Sequence, residues 1–207
     1  MRHLFDIESP LMTWLSRLAD LMVLNLLWLL SCVPIITVGA ATAALYSASI
    51  AIMEGRCGSA AGAFWREFRG GFRRATVLWV ILLLPLVITG FNICLILWFP
   101  QQFPGWVKLP ALIPAVVVLL ISGYVFPLQA RYENTVTGTL LNSCVMGLTH
   151  LPVSLMVAVI NLMPVWLFLG SPKWFAYSVP FWVLVGFSVT ARLNLRLLGR
   201  VFRRYDS

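Results

Sequence analysis

The stretch NLLWLLSCVPIITVGAATAALY, residues 25–46, decides the fold predicted for this chain. It begins as a bulky apolar run, breaks at Pro34, and resumes with small residues from Gly39 to Ser49. Helices in lipid associate by close packing at small residues and by hydrogen bonds, because lipid tails are as apolar as leucine. We therefore predict a membrane helical hairpin against which the other helices pack.

The composition places the whole chain in the membrane class. Of its 207 residues, 60% are hydrophobic and 11% are charged, whereas a soluble domain is near half apolar and about a quarter charged. Several apolar runs reach the ~20 residues needed to cross ~30 Å of hydrocarbon. The predicted fold is all-α, a polytopic membrane helical bundle that forms a single domain over residues 1–207.

We predict six transmembrane helices with both termini cytoplasmic. Their approximate ranges are 11–33, 37–54, 75–99, 111–128, 148–169 and 174–198. The second is only ~25 Å long, which is marginal for a crossing. If it crosses, all thirteen arginines lie inside, and only Lys108 and Lys173 lie outside. The positive-inside rule favours this topology, because otherwise Arg2 and Arg17 move outside.

A polar segment at about residues 60–73 separates the second and third predicted spans. On a helical wheel its aromatic side chains and its arginines occupy opposite sides. The aromatic set is Phe64, Trp65, Phe68 and Phe72, and the basic set is Arg66, Arg69 and Arg73. We predict a short interfacial amphipathic helix, with its aromatic side in lipid and its arginines toward anionic headgroups. It serves either as a topology anchor or as a docking element for a cytoplasmic partner, and Gly70-Gly71 gives it a flexible exit.

The sequence lacks the patterns of a catalytic, cofactor or metal site. His3 and His150 have no partners at metal-ligand spacing, and the four cysteines show no CxxC spacing. The acidic residues lie at the ends of the predicted spans. We therefore predict a protein that is not an enzyme and needs no cofactor. Because the arginines flank apolar segments, a nucleic-acid partner is also not expected.

Some polar residues fall within or near the predicted spans. Asn25, Asn92 and Asn161 are inside them, and Arg17 and Asp20 lie near the inner end of the first span. A buried amide in lipid needs a partner, and hydrogen bonds between helices are the first interpretation. The second interpretation is that these side chains line a polar cavity.

Three motifs resemble the YesL family of small bacterial membrane proteins. They are residues 25–46, FWREFRGGFRRATVLWV at 64–80, and YVFPLQARYENT at 124–135. The pattern includes Pro34, Thr37 and Gly39 in the first motif, and Arg131, Glu133 and Asn134 in the third. The resemblance extends from about residue 4 to the last helix. It implies a multi-pass protein of the bacterial inner membrane, and it brings no catalytic residues.

The resemblance and the residue pattern support three hypotheses about function. Genes of the YesL family, whose biochemical function is uncharacterised, commonly neighbour carbohydrate-uptake genes, which implies an accessory protein for carbohydrate uptake. Its expected partners are anionic lipid headgroups and a sugar-uptake permease, bound through residues 55–74 and the basic C-terminal tail. The alternatives are a small-solute transporter or channel with a midplane polar cavity, and a homo-oligomeric structural protein packed through residues 39–49. For Pro34, Thr37 and Gly39 we favour a tight turn over a site for a polar group.

Overall fold

The computed structural model describes residues 10–56, 58–99, 101, 102, 104, 106, 110–132 and 134–203. Within these residues every regular element is helical. The long helices are α1 (Pro10–Ser31), α2 (Val38–Met53), α3 (Ala60–Trp98), α4 (Ile113–Arg131), α5 (Val136–Thr149), α6 (Leu151–Gly170), α7 (Pro172–Phe181) and α8 (Phe187–Phe202). Short 3₁₀ turns precede α2 at Ile35–Thr37 and α4 at Pro110–Leu112, and a π-helical turn, Trp182–Gly186, joins α7 to α8.

Within the described part of the chain, six helical segments are long and apolar enough to cross a membrane. They are Trp14–Ser31, Ile35–Met53, Ala60–Ile96, Ile113–Arg131, Leu151–Gly170 and Lys173–Phe202. This finding agrees with the six spans expected from the sequence. The second segment reaches 19 residues because the 3₁₀ turn extends α2 at its start.

The turn between α1 and α2 forms at the proline that the sequence singles out. Helix α1 ends at Ser31, and Pro34 has extended backbone angles of φ −79° and ψ 123°. The hydroxyl of Thr37 donates to the carbonyl oxygens of Ser31, at 2.5 Å, and Pro34, at 2.7 Å. Thr37 therefore satisfies the carbonyl of Ser31 at the end of α1, which has no partner within that helix. It adds a second bond to the carbonyl of Pro34, which also accepts from the N–H of Thr37.

Helix α2 is the centre of the bundle and packs against α1, α3, α4 and α8. Most of its side chains are small, and those buried against its neighbours are Gly39, Ala40, Ala41, Ala43, Ala44, Ala48 and Ser49. Small side chains let the neighbouring backbones approach closely, which is the main source of helix association in lipid. The predicted role of this stretch as the packing surface of the bundle agrees with the structure.

Helix α3 differs from the prediction of a separate interfacial helix at 60–73. Ser59 caps it, with its hydroxyl accepting from the N–H of Gly62 at 3.1 Å, and the helix then continues for 39 residues. It passes through Gly70-Gly71 without a break, because a glycine costs a helix only about 1 kcal/mol and packing offsets that cost. At 1.5 Å per residue α3 is about 58 Å long, and it exceeds the ~30 Å thickness of the hydrocarbon.

The aromatic side of this part of α3 faces protein rather than the predicted lipid. Phe64 is 0% exposed, and Phe68 and Phe72 are partly buried against the same core cluster. The rings follow one another along the helix, with centroids 5.9 Å and 5.6 Å apart. That cluster includes the small residues of α2, which leave room for the rings. Trp65 is the exception, at 43% exposed.

Two further elements were not predicted from the sequence. Helix α5 occupies the weakly patterned stretch after α4 and begins at Thr135, whose hydroxyl accepts from the N–H of Gly138. With 14 residues it is too short to cross the hydrocarbon. The π-helical turn Trp182–Gly186 interrupts the last predicted span without ending it.

Contacts between the long helices show their relative directions. Gly39, at the start of α2, lies against Trp79 of α3, whereas Ala51, near the end of α2, borders the same hollow as Arg66, which is earlier on α3. Gly71 of α3 lies near Gln129, at the end of α4. Likewise, Leu21 and Asn25 of α1 contact Ser188 and then Trp182. Both sets of contacts describe antiparallel neighbours. They bring the end of α2, the start of α3 and the end of α4 to one end of the bundle, which we call the arginine end.

We expect Gly39→Ala to destabilise the protein by about 1–3 kcal/mol, as overpacking in a close contact does. A Cβ at residue 39 would lie 2.6 Å from the carbonyl oxygen of Ala75 and would overlap Trp79 Cβ. The control is Gly90→Ala, because a Cβ there meets no atom within 4 Å. Thermal unfolding of both variants in detergent measures the difference. Equal midpoints for the two variants would contradict the close α2–α3 contact.

Candidate functional site: an arginine-lined cleft

A polar cleft lies at the arginine end, between the second half of α2, the first part of α3 and the end of α4. It has two adjoining hollows. The first, of about 420 Å³, includes Ser47, Arg66, Glu67, Arg74, Gln129 and Tyr132 in its lining, and we call it the Arg74 hollow. The second, of about 500 Å³, shares five of these residues and replaces Arg74 with Glu54, Arg56 and Arg131; we call it the Arg56 hollow. Volumes of this size are typical of sites for small ligands.

The sequence builds this cleft by placing small residues where two helices face each other. On α2, Ala43, Ser47 and Ala51 recur every four residues and line one wall. On α3, Gly70 and Gly71 lie between Arg66 and Arg74 and also line the cleft. Residues four apart share a helical face, so the arginines border a gap that the glycines leave open.

Positive charge exceeds negative charge in the lining. Four arginines, Arg56, Arg66, Arg74 and Arg131, face two acids, Glu54 and Glu67. Arg56 forms an ion pair with Glu54. Arg66 Nε lies 3.7 Å from Glu67 Oε1, which is beyond hydrogen-bond distance. Among the described residues Arg74 forms no ion pair, so the cleft keeps an uncompensated guanidinium.

The α4 side of the cleft holds a polar atom without a partner. Gln129 lines both hollows, and its Oε1 is buried and has no hydrogen-bond partner in the described structure. Gly71 lies beside this side chain, since a Cβ there would be in ordinary van der Waals contact with Gln129 Nε2, at 3.6 Å. An unmet buried acceptor costs about 1–3 kcal/mol. Protein atoms cover this oxygen, so it does not face the open space of the hollows.

Beside the cleft, Arg131 stacks on aromatic rings. Its guanidinium carbon lies 5.7 Å from the centre of the Tyr132 ring and 5.6 Å from that of Phe202. These contacts join the end of α4 to the end of α8. Arg131 and Tyr132 both line the Arg56 hollow, so this wall of the cleft is anchored to the last helix.

Asn25 lies far from the cleft, in the contact between α1 and the π-helical turn, and is 0% exposed. Its Nδ2 donates to the carbonyl oxygens of Trp182, at 2.9 Å, and Val183, at 2.7 Å. Its Oδ1 accepts from the N–H of Ser188 at 3.0 Å. The amide thus bonds the last helix where the π turn alters its regular hydrogen bonding, and it holds α1 against that helix.

A second interior contact joins three helices. Nδ2 of Asn194 on α8 donates to the hydroxyl of Tyr46 on α2, at 3.0 Å, and to Oδ1 of Asn161 on α6, at 2.8 Å. Asn194 and Tyr46 are buried, and Asn161 is partly buried. Of the predicted polar lining, Asn25 and Asn161 therefore both bond across helices. Neither lines the cleft.

The other residues of the predicted polar lining, Asn92, Arg17 and Asp20, do not join the contacts made by Asn25 and Asn161. Asn92 is exposed on α3, and its Nδ2 donates to the carbonyl of Ile88 one turn earlier. Arg17 is exposed and Asp20 is partly buried, with no ion pair between the two in the described part of the chain. Both act electrostatically on Arg192 of α8, whose Nε and Nη2 are buried without partners.

The residues of the family pattern fall in two places. Pro34, Thr37 and Gly39 form the α1–α2 turn and the close contact with α3. Arg131 and Asn134 lie at the α4–α5 connection, where the N–H of Asn134 donates to the carbonyl of Tyr132 at 3.0 Å. Glu133 lies outside the described residues. Across the residues that are described, no group of three or more His, Cys, Asp or Glu side chains gathers in a metal-binding arrangement.

Of the cleft residues, sequence reasoning selected Arg66 and Arg131, and it missed Ser47, Arg74 and Gln129. It assigned Arg66, Arg69 and Arg73 to one surface, but only Arg66 lines the cleft. Arg69 and Arg73 are exposed, and the Arg69 guanidinium carbon lies 5.9 Å from the centre of the Trp65 ring. The missed signal was the spacing of Arg66, Gly70 and Arg74 opposite Ala43, Ser47 and Ala51.

The sequence model of a family described as "Protein of unknown function, DUF624" matches residues 21–93. The matched region extends from α1 through α2 and most of α3, and so contains the α2 and α3 walls of the cleft but not the end of α4. No curated protein and no solved structure matches the chain.

We expect Asn25→Ala to destabilise the protein by about 1–3 kcal/mol, because two carbonyls and one N–H would lose their partner in a buried site. Asn92→Ala is the matched control and should change stability by less than about 0.5 kcal/mol, since that side chain is exposed. Unfolding midpoints in detergent test both variants. A larger loss at Asn92 than at Asn25 would contradict the assigned roles.

Proposed function

We propose that this chain is a non-enzymatic, multi-pass protein of the bacterial inner membrane that acts as an accessory component of carbohydrate uptake. The observation that supports the accessory role is how its interior polar groups are used. Asn25, Asn161 and Asn194 bond across helices rather than lining the cleft. Such bonds stabilise helix association in lipid. The carbohydrate context comes from the resemblance to the YesL family.

The arginine end supplies the surface for partners in this proposal. We assign it to the cytoplasmic side, with both termini there, because the positive-inside rule places arginine-rich ends in the cytoplasm. Arg69, Arg73 and Trp65 are exposed on the part of α3 outside the cleft, and we call them the α3 outer face. Its chemistry suits anionic lipid headgroups and an acidic cytoplasmic segment of a permease.

The accessory role is favoured over a transporter or channel. A transport path needs polar side chains that face a cavity across the membrane. In this chain the Thr37 hydroxyl closes a turn, and Asn92 lies on the exposed side of α3. The homo-oligomer alternative uses residues 39–49, but most of these side chains are buried within the chain against α1, α3, α4 and α8.

The topology can be tested by cysteine labelling after replacement of the native cysteines. We expect Arg69→Cys to react with a membrane-impermeant thiol reagent in inside-out vesicles and not in intact spheroplasts. Lys173→Cys, at the start of α7, should show the opposite pattern, since α7 and α8 together form one span. Labelling of both positions from the same side would overturn the assignment.

The partner can be tested by co-purification in mild detergent with a tagged carbohydrate-uptake permease from the same cell. We expect the double variant Arg69→Glu/Arg73→Glu to reduce recovery of the permease at least about tenfold, because like charges replace complementary ones. Both side chains are exposed, so the substitutions should leave the fold intact.

The control is Lys173→Glu, a charge reversal at an exposed position on α7. Recovery of the permease should not change with this variant. Failure of the wild-type protein to recover a carbohydrate permease would contradict the proposed partner surface. Equal recovery of the permease by the wild-type protein and by the Arg69→Glu/Arg73→Glu variant would contradict it as well.

A further inference from the structure

We propose that the Arg74 hollow is a binding site for a phosphate ester that also carries hydroxyl groups. The inference goes beyond the accessory role, and the residues involved are separate from the α3 outer face. It rests on the arrangement of cationic and acceptor groups in one partly enclosed space of about 420 Å³.

The cationic wall of the hollow lies on α3. Arg66 and Arg74 are eight residues apart, about 12 Å along the helix, and Gly70 and Gly71 lie between them. Since Arg74 has no ion pair among the described residues, its guanidinium is available to an anion. A phosphate group accepts charge-assisted hydrogen bonds from a guanidinium, often two in parallel. The absence of side chains at the two glycines leaves room for the rest of the ligand.

The remaining walls require hydrogen-bond donors. The Glu67 carboxylate lines the hollow and accepts hydrogen bonds. A bare anion would offer it no donor and would be repelled by its charge. Hydroxyl groups on the ligand would donate to Glu67, and Ser47 on the α2 wall can accept or donate. The combination therefore selects a phosphorylated polyol over inorganic phosphate.

Two sources can supply this chemistry: a soluble phosphorylated polyol or the glycerol phosphate headgroup of a lipid. Both present a phosphate together with hydroxyl groups. The shared chemistry defines the site, and the source is decided by experiment with glycerol 3-phosphate as the soluble probe and phosphatidylglycerol as the lipid probe.

The test measures binding to the purified full-length chain in a neutral detergent, by native mass spectrometry and by thermal shift. We expect wild-type protein to bind one of the two probes and to bind inorganic phosphate at least about tenfold more weakly. The double variant Arg66→Gln/Arg74→Gln should weaken binding of that probe at least about tenfold, because each lost charge-assisted bond contributes strongly.

The matched control is Arg17→Gln/Arg196→Gln, which removes the same charge from two exposed positions outside both the hollow and the α3 outer face. Its affinity should stay within about twofold of wild type. An equal loss in both double variants would show binding by net charge alone and would overturn the proposal, as would a wild-type chain that binds neither probe. If the cleft double variant does not fold, Arg74→Gln alone replaces it, since Arg74 is exposed.

A third variant tests the hydroxyl part of the proposal. Glu67→Leu removes the carboxylate that accepts from the hydroxyl groups and repels a bare anion, so it should abolish the preference for the polyol phosphate over inorganic phosphate while retaining phosphate binding. Glycerate, which has hydroxyl groups and a carboxylate, serves as the competitor. Tighter binding of glycerate than of either phosphate probe, or an unchanged preference in Glu67→Leu, would overturn the assignment.

Discussion

The close contact of α2 with α3 is the interaction on which the rest of the structure depends. Gly39 lets the backbone of α3 approach until a single added methyl group would overlap Ala75 and Trp79. In lipid this contact cannot come from the hydrophobic effect, so it relies on dispersion and on small side chains. Farther along the same pair of helices, the spacing is wide enough for Phe64, which is fully buried in the shared core cluster. The α2–α3 pair therefore contains both this close contact and two walls of the cleft.

A second constraint is that backbone groups in hydrocarbon need internal partners. The last span contains a π-helical turn after Pro180, and there the partners come from α1 through Asn25. The Ser188 hydroxyl adds a bond to the carbonyl of Leu21 at 2.7 Å. These bonds fix the first helix against the last. The irregular turn is thus a point of attachment between the two ends of the chain.

The sequence allowed the spans to be predicted because their signals are local. Length, hydropathy and the proline at residue 34 each act within a few residues, and the ends of α1 and α2 follow them closely. The direction in which the aromatic side of α3 faces is not a local property. Phe64, Phe68 and Phe72 predict an apolar face, but an apolar face packs equally well on lipid or on a neighbouring helix. Only the small residues of α2, more than ten positions earlier, decide between the two.

The same limit explains why the cleft was only partly predicted. Arg66, Arg69 and Arg73 look alike on a helical wheel, since all three lie opposite the aromatic face. Their environments diverge because α4 returns beside α3 and places Gln129 next to Gly71. Arg66 then faces an enclosed polar space together with Arg74, whereas Arg69 stacks on exposed Trp65. A ligand in a concave space contacts the guanidinium and also the groups on the surrounding walls. A ligand on a convex surface contacts the guanidinium from one side only. The two groups of arginines are therefore suited to different partners, a small anion in the cleft and a larger surface outside it.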